Sequence, residues 1–153
     1  MSNLIVRFKF SDRTEWSENL TNLLLSRVGA QLLEEEPDMV IPVPLHPLRL
    51  LRRGYNQAAL LAGRVARKIH RPLVTNLLYR TKMTRPQTSL NQKSRLVNVH
   101  DAFVVGKAAI ENRRILLVDD VFTTGSTVWS ATRALKEAGA GRVMICCLAR
   151  VEY

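Results

Sequence analysis

The sequence predicts an α/β fold in three layers, in which a mostly parallel β-sheet is flanked by helices. Short apolar runs typical of buried strands alternate with longer segments whose apolar residues recur at helical spacing. Two runs are apolar without interruption, as expected for strands covered on both faces. The first is Ile115–Val118, and the second is the segment Arg142–Ala149 without its initial arginine. A chain of 153 residues is long enough for one structural domain with a single substantial core.

The N-terminal part of the chain predicts a helical segment ahead of this core. Residues 1–10, MSNLIVRFKF, form an irregular or strand-like apolar piece. Apolar residues then recur at helical spacing from Trp16 to Leu32, and the helix should end near the acidic run and the proline that follow. Residues 1–37 are therefore assigned to an N-terminal helical segment, and residues 38–153 to the α/β core.

The first strand of the core is predicted at Met39–Val43, although its prolines are awkward for a central strand. A basic, proline-punctuated loop follows at Pro44–Asn56 and runs into a helix at Gln57–Ile69. His46 in this loop is interpreted as a hydrogen-bonding residue rather than a ligand or a base.

The end of this loop also has the features of an anion site. Gly54 permits close approach to the backbone, while Arg52, Arg53 and the start of the next helix provide positive charge. The alternative is a surface turn that carries stray arginines.

Two further strands are predicted at Leu73–Tyr79 and Asp101–Val105, and Gly106–Arg113 connects the second of them to the apolar run. The polar stretch Thr84–Val97 between these strands predicts a mobile loop with a short helix. Such a loop could close over a bound pyrophosphate, or it could be a surface excursion. Its candidate contacts to pyrophosphate are Arg80, Lys82, Gln87 and Arg95.

The clearest chemical signal is the segment at 115–127, ILLVDDVFTTGST. Its strand ends in Asp119 and Asp120, at the carboxyl edge of the sheet, where open α/β folds bind ligands. A hydroxyl-rich turn then enters a helix that Gly139 is placed to end. Backbone N–H groups, the helix dipole and side-chain hydroxyls together form a cradle for one phosphate. The turn consists of Thr123, Thr124, Gly125, Ser126 and Thr127.

The two acids need a separate explanation, because carboxylates beside a phosphate repel it unless they bind something else. Sugar hydroxyls donate hydrogen bonds to carboxylates, and a divalent metal ion reverses the local charge. A ribose 5-phosphate accompanied by Mg²⁺ satisfies both requirements.

Other proteins with paired acids at a strand end fit less well. A response-regulator receiver carries its acid pair near its start and its phosphorylated Asp on a later strand, but no Asp follows Asp120 here. A Walker B strand requires a GxxxxGK[ST] loop, which the chain lacks. A strand whose acids only cap the next helix needs one acid, not two followed by four hydroxyls.

The net charge of +10 is concentrated in the middle of the chain. Between Asp38 and Asp101 there is no acidic residue, which must create a positive surface suited to pyrophosphate, to nucleic acid or to both. The alternative is a solvated face that keeps the protein soluble. The 12 basic residues of this stretch are Arg49, Arg52, Arg53, Arg64, Arg67, Lys68, Arg71, Arg80, Lys82, Arg85, Lys93 and Arg95.

The composition of the chain indicates its expected location in the cell and the state of its two cysteines. No apolar run approaches the length of a membrane span, and the N-terminus lacks the apolar region of a signal peptide, so a cytoplasmic location is expected. Cys146 and Cys147 are adjacent in an apolar strand and should point to opposite faces. They are interpreted as core thiols, not as a disulfide or a metal pair.

The segment at 115–127 resembles the phosphoribosyl pyrophosphate (PRPP) binding signature of type I phosphoribosyltransferases, with Phe122 bulkier than the aliphatic residue that many of them carry there. Further stretches resemble the ComF family of this fold, which includes ComFC competence proteins and GntX-type relatives, and RGYNQ at 53–57 is the most distinguishing of them. These stretches are FKF at 8–10, DMVIPVPLHPLRLLRRGYNQAALLA at 38–62, TRPQTSL at 84–90 and SRLVNVHDAF at 94–103.

The resemblance implies roles for individual residues. Asp119 and Asp120 would be the catalytic acids, holding the ribose hydroxyls and, indirectly or through PRPP, Mg²⁺. The turn at 123–127 would hold the 5-phosphate. The pyrophosphate side would comprise Arg53, Gly54, Asn56, Arg80 and Lys82, with Gln87 and Arg95 in the mobile loop.

The activity implied by the resemblance is transfer of phosphoribose from PRPP to a nitrogenous acceptor, linked to DNA uptake in competence. Such enzymes select the acceptor with a hood segment, here within residues 1–37. One alternative is a non-catalytic, PRPP-responsive module that handles single-stranded DNA with competence proteins; another is a nucleotide-sensing regulator. Full-length members of the family usually begin with a cysteine-rich zinc ribbon, but this chain has no CxxC pair, so zinc is not expected in it.

Overall fold

In the computed structural model, the described residues are 15–82, 102–107 and 110–150. The predictions for residues 1–10 and for the loop 84–97, with Gln87 and Arg95, lie outside them. The elements are α1 (Glu15–Glu34), β1 (Met39–Pro42), α2 (Pro47–Arg53), α3 (Gln57–Lys68), β2 (Leu78–Arg80), β3 (Phe103–Val105), β4 (Arg114–Phe122), α4 (Ser126–Glu137) and β5 (Arg142–Arg150).

The main sheet has the order β1-β4-β5, and both pairings are parallel. The register aligns Met39 with Ile115 and Pro42 with Val118, while β5 aligns Cys146 with Val118. This arrangement confirms the predicted mostly parallel α/β sheet and makes β4 its central strand.

The alternating side chains of β4 build two separate halves of the core. Ile115 and Leu117 belong to a cluster with α4, whereas Leu116 and Val118 belong to a cluster with α1 and α3. All four are fully buried, and each apolar side chain of this size contributes about 1.5–3 kcal/mol when buried. Helices therefore cover both faces, which confirms the three layers.

The strand β4 is longer than the apolar run predicts. Its pairing with β5 continues to Phe122, which is aligned with Arg150. Asp119 and Asp120 therefore lie within the last part of the strand, which continues two residues beyond them. Pairing with β5 therefore continues on both sides of the acid pair, with Asp119 aligned with Cys147 and Val121 aligned with Ala149.

The strand predicted at Leu73–Tyr79 is wrong as a single element. Leu73 forms one parallel bridge with Val40, and the chain then bends before Leu78–Arg80 pairs antiparallel with β3. Leu77 and Leu78 are both buried in the same cluster, which consecutive residues of a straight strand cannot achieve because their side chains alternate between faces.

The loop predicted at Pro44–Asn56 contains a short helix, α2, which the sequence interpretation missed. His46 caps the helix by accepting a hydrogen bond from the N–H of Leu48 at 3.3 Å, which confirms its predicted hydrogen-bonding role. Pro47 occupies the first turn, and Gly54 ends the helix with φ 81°. Proline at the start and glycine after the end are usual helix boundaries.

The two cysteines lie on opposite faces of β5, as predicted. Cys146 is in the cluster on the α3 side, and Cys147 packs against the cluster on the α4 side. Both are free thiols, and burial raises the pKa of Cys146 to about 11 and that of Cys147 to about 12. Within the described parts of the chain, no helix is long and apolar enough to cross a membrane.

Candidate functional site

The acid pair lies at the carboxyl edge of the central strand. Asp119 is buried and Asp120 is half-buried. The N–H of Asp120 donates to Oδ1 of Asp119 at 2.9 Å, and the N–H of Val121 donates to Oδ1 of Asp120 at 2.9 Å. Each carboxyl group is thus oriented by the backbone of the next residue.

The electrostatics of Asp119 favour its neutral form. Burial raises the pKa of Asp119 to about 8, with a further contribution from the neighbouring carboxylate of Asp120. The guanidinium of Arg80 acts in the opposite direction but is outweighed. A cation or hydroxyl donors that arrive with a ligand would favour the ionised carboxylate and so complete the site.

The hydroxyl-rich turn leads directly from β4 into α4. Oγ1 of Thr124 and Oγ of Ser126 lie 2.9 Å apart, and Ser126 is the buried first residue of the helix. Gly125 precedes it with φ 76° and has no side chain that could cap the helix. The turn therefore has the composition and position of the predicted phosphate cradle, at the positive end of a 12-residue helix.

Arg80 at the end of β2 is a basic residue that lies close to the acid pair. It is buried, and its guanidinium carbon lies 5.5 Å from the centre of the Phe103 ring. Burial lowers the pKa of Arg80, the positive charge of Arg49 lowers it further, and the negative charge of Asp119 raises it. Arg80 therefore lies within electrostatic range of both residues.

Arg49 is a candidate that the sequence interpretation missed. It lies on α2, four residues before Arg53, and residues with this spacing share one helix face. Both are half-buried, whereas Leu48, Leu50 and Arg52 are exposed. That spacing is the signal that could have identified Arg49, but only if α2 had been recognised as a helix.

The RGYNQ segment is tied to the strand that carries the acids. Oδ1 of Asn56 accepts from the N–H of Ala58 at 3.1 Å, and Nδ2 of Asn56 donates to the carbonyl of Val43 at 3.0 Å. The N–H of Val43 in turn donates to the carbonyl of Val118 at 2.8 Å. Asn56 is therefore two hydrogen bonds away from the residue that precedes Asp119.

The other candidates for the pyrophosphate side differ in their surroundings. Among the described residues other than Gly54 and its two chain neighbours, no heavy atom lies within 4 Å of the position that a Cβ on Gly54 would occupy. The positive φ of Gly54, and not crowding by the protein, therefore accounts for glycine there. Lys82 is exposed, two residues past β2. The roles of both in binding pyrophosphate stay predictions.

The donor atoms at the site fit a Mg²⁺ ion that arrives with a phosphorylated ligand. Mg²⁺ prefers oxygen ligands and is usually held by one or two carboxylates together with substrate phosphates. Asp119 and Asp120 provide such a carboxylate pair. The described residues contain no group of three or more His, Cys, Asp or Glu that could hold a metal ion by themselves.

The similarity to known proteins agrees with this geometry. Residues 24–152 match the family model described as phosphoribosyl transferase domain. Competence protein F of Haemophilus influenzae is 38% identical over 98% of this chain and 68% of its own length. The chain belongs to the ComF family of phosphoribosyltransferase-fold proteins.

Two further relatives support this assignment. DNA utilization protein YhgH of Shigella flexneri is 38% identical over 98% of this chain and 67% of its own length. Competence protein ComFC of Bacillus subtilis is 30% identical over 91% of this chain and 55% of its own length. The predicted family membership is therefore confirmed.

Solved structures confirm the fold. The purine phosphoribosyltransferase of Pyrococcus horikoshii matches 88% of this chain and 73% of its own, with a TM-score of 0.53 and 18% identity. Glutamine PRPP amidotransferase of B. subtilis, solved with ADP and GMP, matches 86% of this chain and 26% of its own, with a TM-score of 0.57 and 22% identity. At these identities, the similarity concerns the fold alone.

Proposed function

We propose that the protein binds PRPP at the carboxyl edge of β4. The observation that carries the proposal is the continuity of the site, in which the backbone-oriented pair Asp119 and Asp120 leads within one segment to the hydroxyl turn at the start of α4. The acids would accept hydrogen bonds from the ribose hydroxyls. Residues 123–127 would hold the 5-phosphate.

The pyrophosphate would lie on the side of the arginines. Arg80 is within electrostatic range of Asp119, and Arg53 belongs to the segment that Asn56 ties to β4. Fixed positive charges at this place would stabilise the negative charge that develops as pyrophosphate leaves C1 of the ribose. We further propose that a nitrogenous acceptor attacks C1 from the opposite face, so that positioning and charge provide most of the catalysis.

Mg²⁺ would be held by the pyrophosphate of PRPP together with Asp119 and Asp120, and it would neutralise charge on the leaving group. The roles of the protein's own residues are to orient the ribose, hold the 5-phosphate and surround the leaving group with arginines. None of these roles requires a covalent intermediate with the protein.

Binding is tested by calorimetry with PRPP in the presence and absence of Mg²⁺. The matched variants are Asp119→Asn and Asp120→Asn, with Asp38→Asn as the control. Asp38 accepts a hydrogen bond from the N–H of Arg114 at 2.7 Å, at the opposite end of the same strand. The first two variants should lose at least tenfold in PRPP affinity and the control should not. Unchanged binding by both site variants would overturn the assignment.

Turnover is tested separately, by pyrophosphate release from PRPP with a panel of nitrogenous bases. Release that depends on one acceptor would support the transferase. PRPP binding without release across a broad panel would instead favour a PRPP-responsive module without catalysis.

The names of the relatives connect this chemistry to DNA. One relative is called competence protein F and another DNA utilization protein YhgH. We propose that the present protein also serves DNA uptake or use in the cytoplasm, together with competence proteins.

A basic groove beside α3 favours a direct contact with single-stranded DNA. The groove has a volume of about 660 Å³ and is lined by apolar residues, including Leu60 and Leu73, and by the basic residues Arg64, Arg67 and Arg71. No acidic residue lies between Asp38 and Asp101, so its charge suits a phosphodiester backbone. The affinity for an oligonucleotide should fall steeply with salt, and Arg67→Gln should reduce the slope by about one. A flat salt response would exclude an electrostatic DNA surface.

A further inference from the structure

The first residue of α3, Gln57, has an unusual environment. It is 2% exposed and is one of few buried polar residues in the described part of the chain. Its Oε1 accepts a hydrogen bond from Nη1 of Arg53 at 2.8 Å. Its Nε2 is buried and has no hydrogen-bond partner among the described residues.

This environment makes glutamine a costly choice for the fold. A buried amide N–H₂ that is not hydrogen-bonded loses its interaction with water and gains nothing in return. An unbranched apolar side chain of similar length would fill the same space without this cost. What glutamine provides, and such a side chain does not, is the oxygen that holds Arg53.

The bond acts on an arginine at a particular place in the chain. Arg53 is the last residue of α2, directly before the turn that Gly54 makes with φ 81°. Three residues after Arg53, Nδ2 of Asn56 donates a hydrogen bond to the carbonyl of Val43. The N–H of Val43 donates in turn to the carbonyl of Val118, which directly precedes Asp119. The pair Arg53–Gln57 is thereby fixed to the carboxyl edge of the sheet, on the side where the anion would lie.

We propose that Gln57 is a positioning residue, which holds the guanidinium of Arg53 towards a pyrophosphate group beside the acid pair. A charge-assisted hydrogen bond that Arg53 donates to a buried acceptor restricts its long side chain before the anion arrives. Less rotational freedom is then lost on binding. The inference rests on the proposed function insofar as the anion is the pyrophosphate of PRPP.

The test uses Gln57→Met, which removes the acceptor. Gln31→Met is the matched control, because Gln31 is exposed on α1. Calorimetry with PRPP, inorganic pyrophosphate and ribose 5-phosphate separates the two halves of the ligand. Gln57→Met should weaken PRPP and pyrophosphate about tenfold, leave ribose 5-phosphate unchanged, and keep or raise the melting temperature.

A double-mutant cycle distinguishes positioning from a general structural role. In an Arg53→Met background, Gln57→Met should cause no further loss of pyrophosphate affinity. An equal loss in both backgrounds, unchanged pyrophosphate binding by Gln57→Met, or a large fall in its melting temperature would each overturn the proposal. If the variants change the affinity for inorganic pyrophosphate as predicted but the wild-type protein does not bind PRPP, the positioning role of Gln57 stands and the proposed function fails. If it binds neither, both fail.

Discussion

The ring of Phe122 lies against Gly125, with its Cζ 2.7 Å from the position that a Cβ on Gly125 would occupy. Gly125 also has φ 76°, a conformation that residues with a Cβ rarely adopt. Gly125→Ala should therefore destabilise the fold by about 1–2 kcal/mol and weaken binding of ribose 5-phosphate. Thermal unfolding and calorimetry measure the two effects.

The control for this substitution is Gly29→Ala in α1. Its added Cβ would lie 3.9 Å from Cβ of Leu25, which is ordinary contact. Alanine in a helix interior is favoured over glycine, so a gain of about 0.5–1 kcal/mol is expected. In Phe122→Val/Gly125→Ala, the contact with the ring is relieved while the backbone strain remains. This double variant should recover part of the lost stability, and no recovery would show that the ring is not the obstacle.

The raised pKa of Asp119 predicts how stability depends on pH in the absence of ligand. The pKa is 3.8 for an ordinary Asp and about 8 for Asp119 in the folded protein. Between these values the folded protein holds a proton that the unfolded chain has lost. The free energy of unfolding should therefore be greatest near the lower pH and fall as the pH rises through this window.

Asp119→Asn isolates this contribution, because asparagine stays neutral and its oxygen still accepts from the N–H of Asp120. Denaturant unfolding from pH 5 to 8 should show a weaker fall for the variant than for the wild-type protein. Other groups also titrate, including Asp38, whose pKa is lowered chiefly by a hydrogen bond from the backbone of Arg114. They are common to both proteins, so parallel curves would mean that Asp119 is ionised in the folded state.

Local sequence determines the acid pair and the hydroxyl turn, which is why they could be predicted. The strand, the acids and the helix start follow one another without interruption from 115 to 127. The helix at Gln57 was predictable for the same reason, because Asn56 caps it directly. A side chain that caps a helix accepts a hydrogen bond from a backbone N–H only two or three residues away, so it can be recognised from the local sequence.

The features that sequence did not predict depend on tertiary structure. The helix α2 has seven residues, none of them buried, so no apolar periodicity marks it. The bend before Leu78 exists because Leu77 and Leu78 enter the same cluster. Arg49 lies within electrostatic range of Arg80 although 31 positions separate them, and no local pattern encodes such a contact.

Arg80→Met tests whether the guanidinium of Arg80 contributes to binding of the pyrophosphate group. Methionine keeps apolar contact with Phe103 but removes the charge that lies within range of Asp119. Affinity for PRPP and pyrophosphate should fall at least tenfold, whereas affinity for ribose 5-phosphate should change little. The pKa of Asp119 should also rise further, because Arg80 lowers it.

Calorimetry with the three ligands measures these changes, and Arg80→Lys is the matched variant, since it keeps a charge without the planar guanidinium. It should lose less affinity than Arg80→Met. An equal loss for ribose 5-phosphate and pyrophosphate would show that Arg80 supports the fold of the site instead of contacting the anion.

Asn56 combines two hydrogen bonds that different substitutions can separate. Asn56→Ala removes both the cap of α3 and the bond to Val43, and it should lower the free energy of unfolding by about 1–3 kcal/mol. Asn56→Asp keeps the cap, where a carboxylate also interacts favourably with the helix dipole. It loses the donor to the Val43 carbonyl and places two acceptors opposite each other. Chemical denaturation should therefore show a smaller loss for Asn56→Asp than for Asn56→Ala.

The two variants should behave differently in binding. Because the bond to Val43 ties the RGYNQ segment to the strand that carries Asp119, both should weaken pyrophosphate binding despite their different stabilities. Asn56→Asp should weaken it at least as much as Asn56→Ala, since its carboxylate also repels the anion. If affinity instead followed stability, with Asn56→Asp close to the wild-type protein, the cap alone would account for Asn56. The connection through Val43 would then have no part in arranging the anion side of the site.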